Sequence, residues 1–136
     1  MFKFLQKLFG TAKMPQKYRA EIEAEGVVLI DEGIRGSVTY TNFHRPGKYA
    51  GWQKNFLPSH LALSNKRLFA IGWYTPVIDV PLSDERLRQM NFAFEDEDIL
   101  YVKFDANLFQ PTWSGTIEYR FHTPRAQAYL DRLSSL

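Results

Sequence analysis

Ser59-His60-Leu61-Ala62-Leu63-Ser64-Asn65-Lys66-Arg67-Leu68-Phe69-Ala70-Ile71-Gly72-Trp73-Tyr74-Thr75-Pro76-Val77-Ile78-Asp79-Val80-Pro81-Leu82 reads as three strands in a row. Leu61 and Leu63 alternate with His60, Ala62 and Ser64. Ser64 to Arg67 form a first turn. Leu68 to Tyr74 is a second apolar run, Thr75-Pro76 a second turn, and Ile78, Val80 and Leu82 a third alternating set. The spacing predicts a meander that buries one face. It must close on further strands, because two or three strands alone leave unpaired edges and too little core.

The period of two continues on both sides. Val27 to Ile30 reads as a short strand, Asp31-Glu32-Gly33 as a turn, and 34–43 as a longer strand. In that strand Val38 and Tyr40 take one face and Thr39, Thr41 and Phe43 the other. Pro46, Gly47 and Gly51 mark 45–51 as a loop. Trp52 to Leu57 resumes a strand that Pro58 ends or confines to an edge. Beyond the meander come a single helical turn at Ser83 to Arg86, a strand holding Phe92 and Phe94, and the acidic turn Glu95 to Asp98. A strand at Ile99 to Phe104 and a long connection at 105–114 follow. The strand at 115–121 points Ile117, Tyr119 and Phe121 inward. Thr123 as N-cap and Pro124 in the first turn open a closing helix. Its stripe, Ala126, Tyr129, Leu130 and Leu133, is suited to cover the open end of a barrel.

The front of the chain has helical spacing. Phe2, Leu5, Leu8 and Phe9, with Phe4 beside them, make an apolar side, and Lys3 and Lys7 sit on the other. Those lysines interrupt the apolar core that a signal peptide needs, so the segment reads as retained. After Gly10, Pro15 opens a second helix and Gly26 ends it, with Met14, Tyr18 and Ile22 on one face. Lys17–Glu21 and Arg19–Glu23 are i,i+4 pairs worth about 0.2–0.5 kcal/mol each. Residues 1–25 thus read as a basic amphipathic helical extension and 26–136 as one barrel domain.

A chain of 136 residues is the size of one domain and needs no staple to fold. It has no cysteine, which excludes disulfides and thiolate metal sites and fits a reducing, cytoplasmic compartment. No apolar run is long enough to span a membrane. Charge is unevenly placed. Residues 1–20 carry Lys3, Lys7, Lys13, Lys17 and Arg19 and no acid, and 33–78 carry Arg35, Arg45, Lys48, Lys54, Lys66 and Arg67 and no acid. From residue 21 onward acids outnumber bases, which argues against a nucleic-acid partner.

Leu61, Leu63, Ser64, Arg67 and Leu68, then Val80-Pro81-Leu82, and finally Phe121, Thr123 and Ala126 to Leu133 resemble the pleckstrin-homology-like superfamily in its bacterial and GRAM-type branches. The resemblance covers about 26–134 and leaves the front unmatched. It implies a mainly β (α+β) fold: a partly open antiparallel barrel of about seven strands, capped by a C-terminal helix. It also implies a binding module for lipid head groups, peptides or proteins.

Catalytic chemistry finds no foothold. His44, His60 and His122 lack metal-ligand spacing and read as partly exposed structural residues, and no nucleophile motif is present. No cofactor and no metal are expected, and Glu95 to Asp98 reads as a solvated hairpin tip. The binding candidates are Arg45, Lys48, Trp52 and Lys54, a mix of cations and an aromatic suited to an anionic head group. For membrane or partner contact the candidates are Phe2, Lys3, Phe4, Leu5, Lys7, Leu8 and Phe9, with Phe109 and Trp113 in the long connection. The expected function is non-catalytic binding: protein–protein interaction, or recruitment to an anionic membrane surface at the inner face. A homo-oligomer is allowed. The competing class is a small-molecule carrier, which a cavity of several hundred Å³ in the barrel would favour.

Overall fold

The computed structural model of the protein describes residues 13–136. Helix α1 (Gln16–Glu25) leads into β1 (Val27–Ile34), β2 (Gly36–Arg45), β3 (Lys48–Phe56), β4 (Ser59–Ser64), β5 (Arg67–Gly72) and β6 (Thr75–Pro81). A 3-10 turn (Glu85–Gln89), β7 (Asn91–Glu95), β8 (Ile99–Asp105), a second 3-10 turn (Ala106–Leu108), β9 (Ser114–His122) and helix α2 (Ala126–Ser134) complete the order. The strands form two antiparallel sheets, β1-β4-β5-β6 and β3-β2-β9-β8-β7, which do not join into a closed barrel. The expected N-terminal helix of residues 2–9, with all its candidate contact residues, lies outside the described residues.

One long bent hairpin links the sheets. Its register runs from Val27↔Ser64 and Ile34↔Ser59 on one sheet to Ser37↔Phe56 and Arg45↔Lys48 on the other. The arms bend at Arg35 and at Leu57-Pro58, where the Leu57 N–H donates to the Gly36 carbonyl at 2.9 Å. A Cβ on Gly36 would stand 2.8 Å from the carbonyl oxygen of Leu57, so the crossing requires glycine. Counting β1–β2 and β3–β4 as two bent arms reduces the nine strands to seven.

Three local readings are corrected here. Asp31-Glu32-Gly33 is not a turn: β1 runs through it, and the chain reverses direction of packing only at Arg35. Residues 45–51 are not a loop but a hairpin with a tight turn at Pro46-Gly47, so β3 begins at Lys48. Phe43 faces the core with Val38 and Tyr40, not away from them. Asn42, at φ 49°, breaks the register between β2 and β9 and reverses the alternation beyond it. Gly115 is the other half of that bulge: its φ is 94°, and a Cβ there would lie 2.3 Å from the Asn42 carbonyl oxygen.

The meander is where expected, but it is covered on both faces. Leu61, Leu63, Leu68 and Val80 join Leu100, Val102 and Phe121 in the inter-sheet core. On the outer face, Met14 and Ile22 from the α1 segment pack on Ala62, Phe69 and Ile71. Every residue of β4 is therefore buried. Arg67 fastens α1 to the sheet through Glu21, Glu25 and Asp79 at 3.0, 3.0 and 3.1 Å. Glu21 thus meets Arg67, while Arg19 and Glu23 form the expected i,i+4 pair at 2.9 Å.

The closing helix begins at Ala126, two residues after Pro124. Thr123 still caps the turn that leads into it, its Oγ1 accepting from the Arg125 N–H at 3.0 Å. Ala126, Tyr129 and Leu133 face the core. The Tyr129 hydroxyl donates to Asp31 Oδ2 at 2.8 Å, and Arg125 Nη2 donates to Asp31 Oδ1 at 2.8 Å. Burial, with the Asp31 charge, pushes the Tyr129 phenol far upward. A carboxylate only 5% exposed thus ties the helix to the first strand.

Candidate functional site

The four residues read as a head-group site do not converge. Arg45 and Lys48 face each other across the β2–β3 tip, both exposed. His44 and Tyr49 stack beside them, with ring centroids 4.3 Å apart. Trp52 is opposite Thr41 and is 68% exposed. Lys54 lies opposite Thr39, further down the strand, and its charge acts with that of Arg35 on His122 at the other end of β9. Arg67 is committed to α1. The cations of 33–67 are therefore dispersed, and of the three candidate cations only Arg45 and Lys48 adjoin.

Phe109 and Trp113 are half-buried rather than displayed. Phe109 meets Phe104 edge to face at 5.4 Å, and Trp113 meets Phe43 in the same way at 5.4 Å. They wall a cleft of about 390 Å³ between strand β6 and the inner face of the five-stranded sheet. Val77, Ile78 and Val80 of β6 form one side, and Phe104, Ile117 and Tyr119 the other. β6 is an edge strand there, paired only with β5.

Two phenols enter this wall, and sequence reading missed both as functional groups. Tyr40 and Tyr119 look like ordinary inward positions of alternating strands. Tyr119 is only 6% exposed, and its pKa is raised by burial and by the neighbouring Tyr40. Tyr40 is likewise raised by burial, with Arg45 pulling the other way. Among the described residues neither hydroxyl has a hydrogen-bond partner, in contrast to Tyr129 and to Tyr101, which bonds Glu118. Arg45 lies across the Trp113 ring, 5.9 Å from its centroid, and has no acidic partner among the described residues. Arg86 stacks on Phe109 at 4.8 Å, but Asp84 holds it at 2.6 Å.

The remaining candidates are structural. His60 is buried rather than partly exposed, and its Nδ1 accepts from the Gly33 N–H at 3.0 Å; burial pushes its pKa down against the pull of Glu32. A wider depression of about 660 Å³ runs over Arg67, but its arginine is already engaged by Glu21, Glu25 and Asp79. Glu95 of the acidic turn pairs with Arg120 at 3.2 Å. No group of three or more His, Asp or Glu side chains among the described residues is placed to hold a metal ion. No helix among them is long and apolar enough to cross a membrane.

Compared with known protein families and with curated proteins, the chain matches no family model and no curated sequence.

Proposed function

We propose that the chain is a non-catalytic binding domain of pleckstrin-homology-like architecture whose ligand site is the cleft walled by β6, Tyr119 and Trp113. The seven-strand path through two sheets and the helix docked at one end support that architecture. The observation that carries the function is the cleft itself. Its volume of about 390 Å³ is in the range of small-molecule sites, roughly 300–1,000 Å³. Its walls combine aliphatic and aromatic side chains with the polar groups of Tyr40, Asp79, Gln110 and Tyr119, a mixture that can orient a ligand. Magnitudes favour it over the surface. Arg45 and Lys48 at an anionic membrane contribute about 1 kcal/mol each, too little for stable attachment alone. A ligand buried in the cleft gains about 0.8 kcal/mol per buried methylene.

The neutral fluorophore 1-aminoanthracene tests this reading. Its emission is expected to rise on binding, and Val77→Phe, which fills the half-exposed mouth, is expected to abolish the rise. An equal response from the variant at an unchanged melting temperature would refute the site.

Recruitment to an anionic surface, or to a protein partner, is the second reading. It is favoured by the exposed Arg45, Lys48, Tyr49 and Trp52 around one hairpin. Sedimentation with anionic vesicles, and its loss in an Arg45→Ala/Lys48→Ala variant as salt is held low, decides it.

A further inference from the structure

We infer that the cleft takes an anionic amphiphile, with its apolar body between β6 and the five-stranded sheet and its carboxylate or phosphate held by Arg45, Tyr40 and Tyr119. This rests on the cleft being a ligand site and goes further by naming the ligand's charge.

The donor set is the reason. A guanidinium only donates, and a phenol donates readily to an anion. Arg45 sits against Trp113, a wall residue, whose ring meets Phe43 at 5.4 Å, and Phe43 in turn meets the Tyr40 ring at 4.8 Å. Tyr40 and Tyr119 stand diagonally on adjacent strands, paired with Ile117 and Val38 respectively, and both line the cleft. These three groups form a chain from the hairpin tip into the cleft. None of the three has an acceptor among the described residues for its cationic or hydroxyl donor. Tyr129 and Arg125, by contrast, share Asp31, and Arg86 has Asp84. The one carboxylate in the cleft wall, Asp79, is held from its far side by Arg67 at 3.1 Å.

The apolar walls set the rest of the ligand. Ile78, Val80 and Ile117 are buried aliphatic surface, and Phe104, Phe109 and Trp113 supply rings. A small inorganic anion would leave that surface unfilled. A neutral hydrocarbon would leave Arg45 and two phenols unpaired. A charge-assisted contact with Arg45 is about twice as strong as a neutral one, so the anionic member of a matched pair gains most.

The chain has three tryptophans, and two of them, Trp52 and Trp73, are exposed. A Trp52→Phe/Trp73→Phe variant leaves Trp113 as the sole indole, inside the site. Dodecanoate, dodecyl phosphate and dodecanol are titrated below their micelle concentrations while Trp113 emission is followed. The expected result is a saturable blue shift, with dodecanoate or dodecyl phosphate binding about tenfold more tightly than dodecanol, as one charge-assisted pair allows. Whichever of the two anions binds more tightly identifies the head group. Arg45→Ala, and separately Tyr119→Phe, should bring the anions towards dodecanol without weakening dodecanol itself. If dodecanol binds as tightly as the anions and Arg45→Ala changes nothing, the inference fails and the cleft reading survives. If none of the three shifts Trp113, both fail together.

Discussion

Strand β9 has two ends, and they are finished differently. At the His122 end, the helix α2 docks by apolar contact, and the polar groups carried in with it are matched: Asp31 takes both Arg125 and Tyr129. Towards the Ser114 end, by the bulge of Asn42 and Gly115, Arg45 and the Tyr40 hydroxyl have no acceptor among the described residues, and neither has the Tyr119 hydroxyl in mid-strand. A buried polar group without a partner costs about 1–3 kcal/mol relative to a matched one. The first end buries its polar groups and matches them; at the second, Arg45 is exposed and neither phenol oxygen is sealed from solvent, so water stands in for an acceptor. Polar groups left open to solvent in an otherwise well-matched chain are where binding sites are expected.

The sharpest way to break this contrast is to remove the acceptor at the closed end. Asp31→Ala leaves Tyr129 buried without its partner and frees Arg125. It should cost about 3 kcal/mol in urea unfolding, the sum expected for two hydrogen bonds to a charged group. Arg45→Ala with Lys48→Ala, at the open end, should fall within about 0.5 kcal/mol of the parent, because these side chains support nothing inside the fold. Comparable losses at both ends would show that the tip has a structural duty and would undo the distinction.

Much of the closed end was legible in the sequence. The strict alternation of Ile117, Tyr119 and Phe121 and the three-and-four spacing of Ala126, Tyr129 and Leu133 report burial directly, since a period is a statement about one face. Met14, Tyr18 and Ile22 likewise announced a packing face, and it lies on the outer sheet as a second core. What alternation cannot report is a partner far away in the chain. Asp31-Glu32-Gly33 has the composition of a turn, yet Asp31 is held in a strand by residues 94 and 98 positions later. The cleft was illegible for a related reason. Tyr40 and Tyr119 satisfy the inward pattern whether or not their hydroxyls find acceptors. The dispersal of Arg45, Lys48 and Lys54 follows from reading a hairpin as a loop: a loop can gather its cations, whereas a strand spaces them by about 3.3 Å per residue.

Acid should act on the closed end before the open one. The sign follows from His60 and His122, whose pKa values in the fold are both pushed below the ordinary 6.5, in each case first by burial. Their neutral forms are favoured in the native state, so the unfolded chain binds protons first as pH falls. Stability is full above about pH 6.5 and declines as pH drops from there towards the folded values. His60 also has a specific loss, because protonating Nδ1 removes the acceptor of the Gly33 N–H. His60→Asn retains an acceptor near that position and cannot titrate. Unfolding followed at pH 7.5 and pH 5 should show a flatter dependence in this variant, and the slope that remains belongs to His122. An unchanged slope would assign the acid sensitivity elsewhere.

The finest resolution comes from making one substitution at both ends. Tyr129 and Tyr119 are buried phenols on neighbouring parts of the core, and both are pushed upward mainly by burial. They differ in what the hydroxyl touches. Tyr129→Phe removes a hydrogen bond to a buried carboxylate and should cost about 1.5–3 kcal/mol. Tyr119→Phe removes a hydroxyl that has no partner among the described residues. The change keeps the ring and its contact with Phe121, at 5.8 Å between centroids, so stability should move by about 0.5 kcal/mol or less and in either direction. Thermal unfolding of the two variants side by side measures the difference. A cost for Tyr119→Phe close to that of Tyr129→Phe would mean that the Tyr119 hydroxyl is engaged within the fold. The open end would then be as fully matched as the closed one, and the cleft would lose the polar wall on which its ligand chemistry depends.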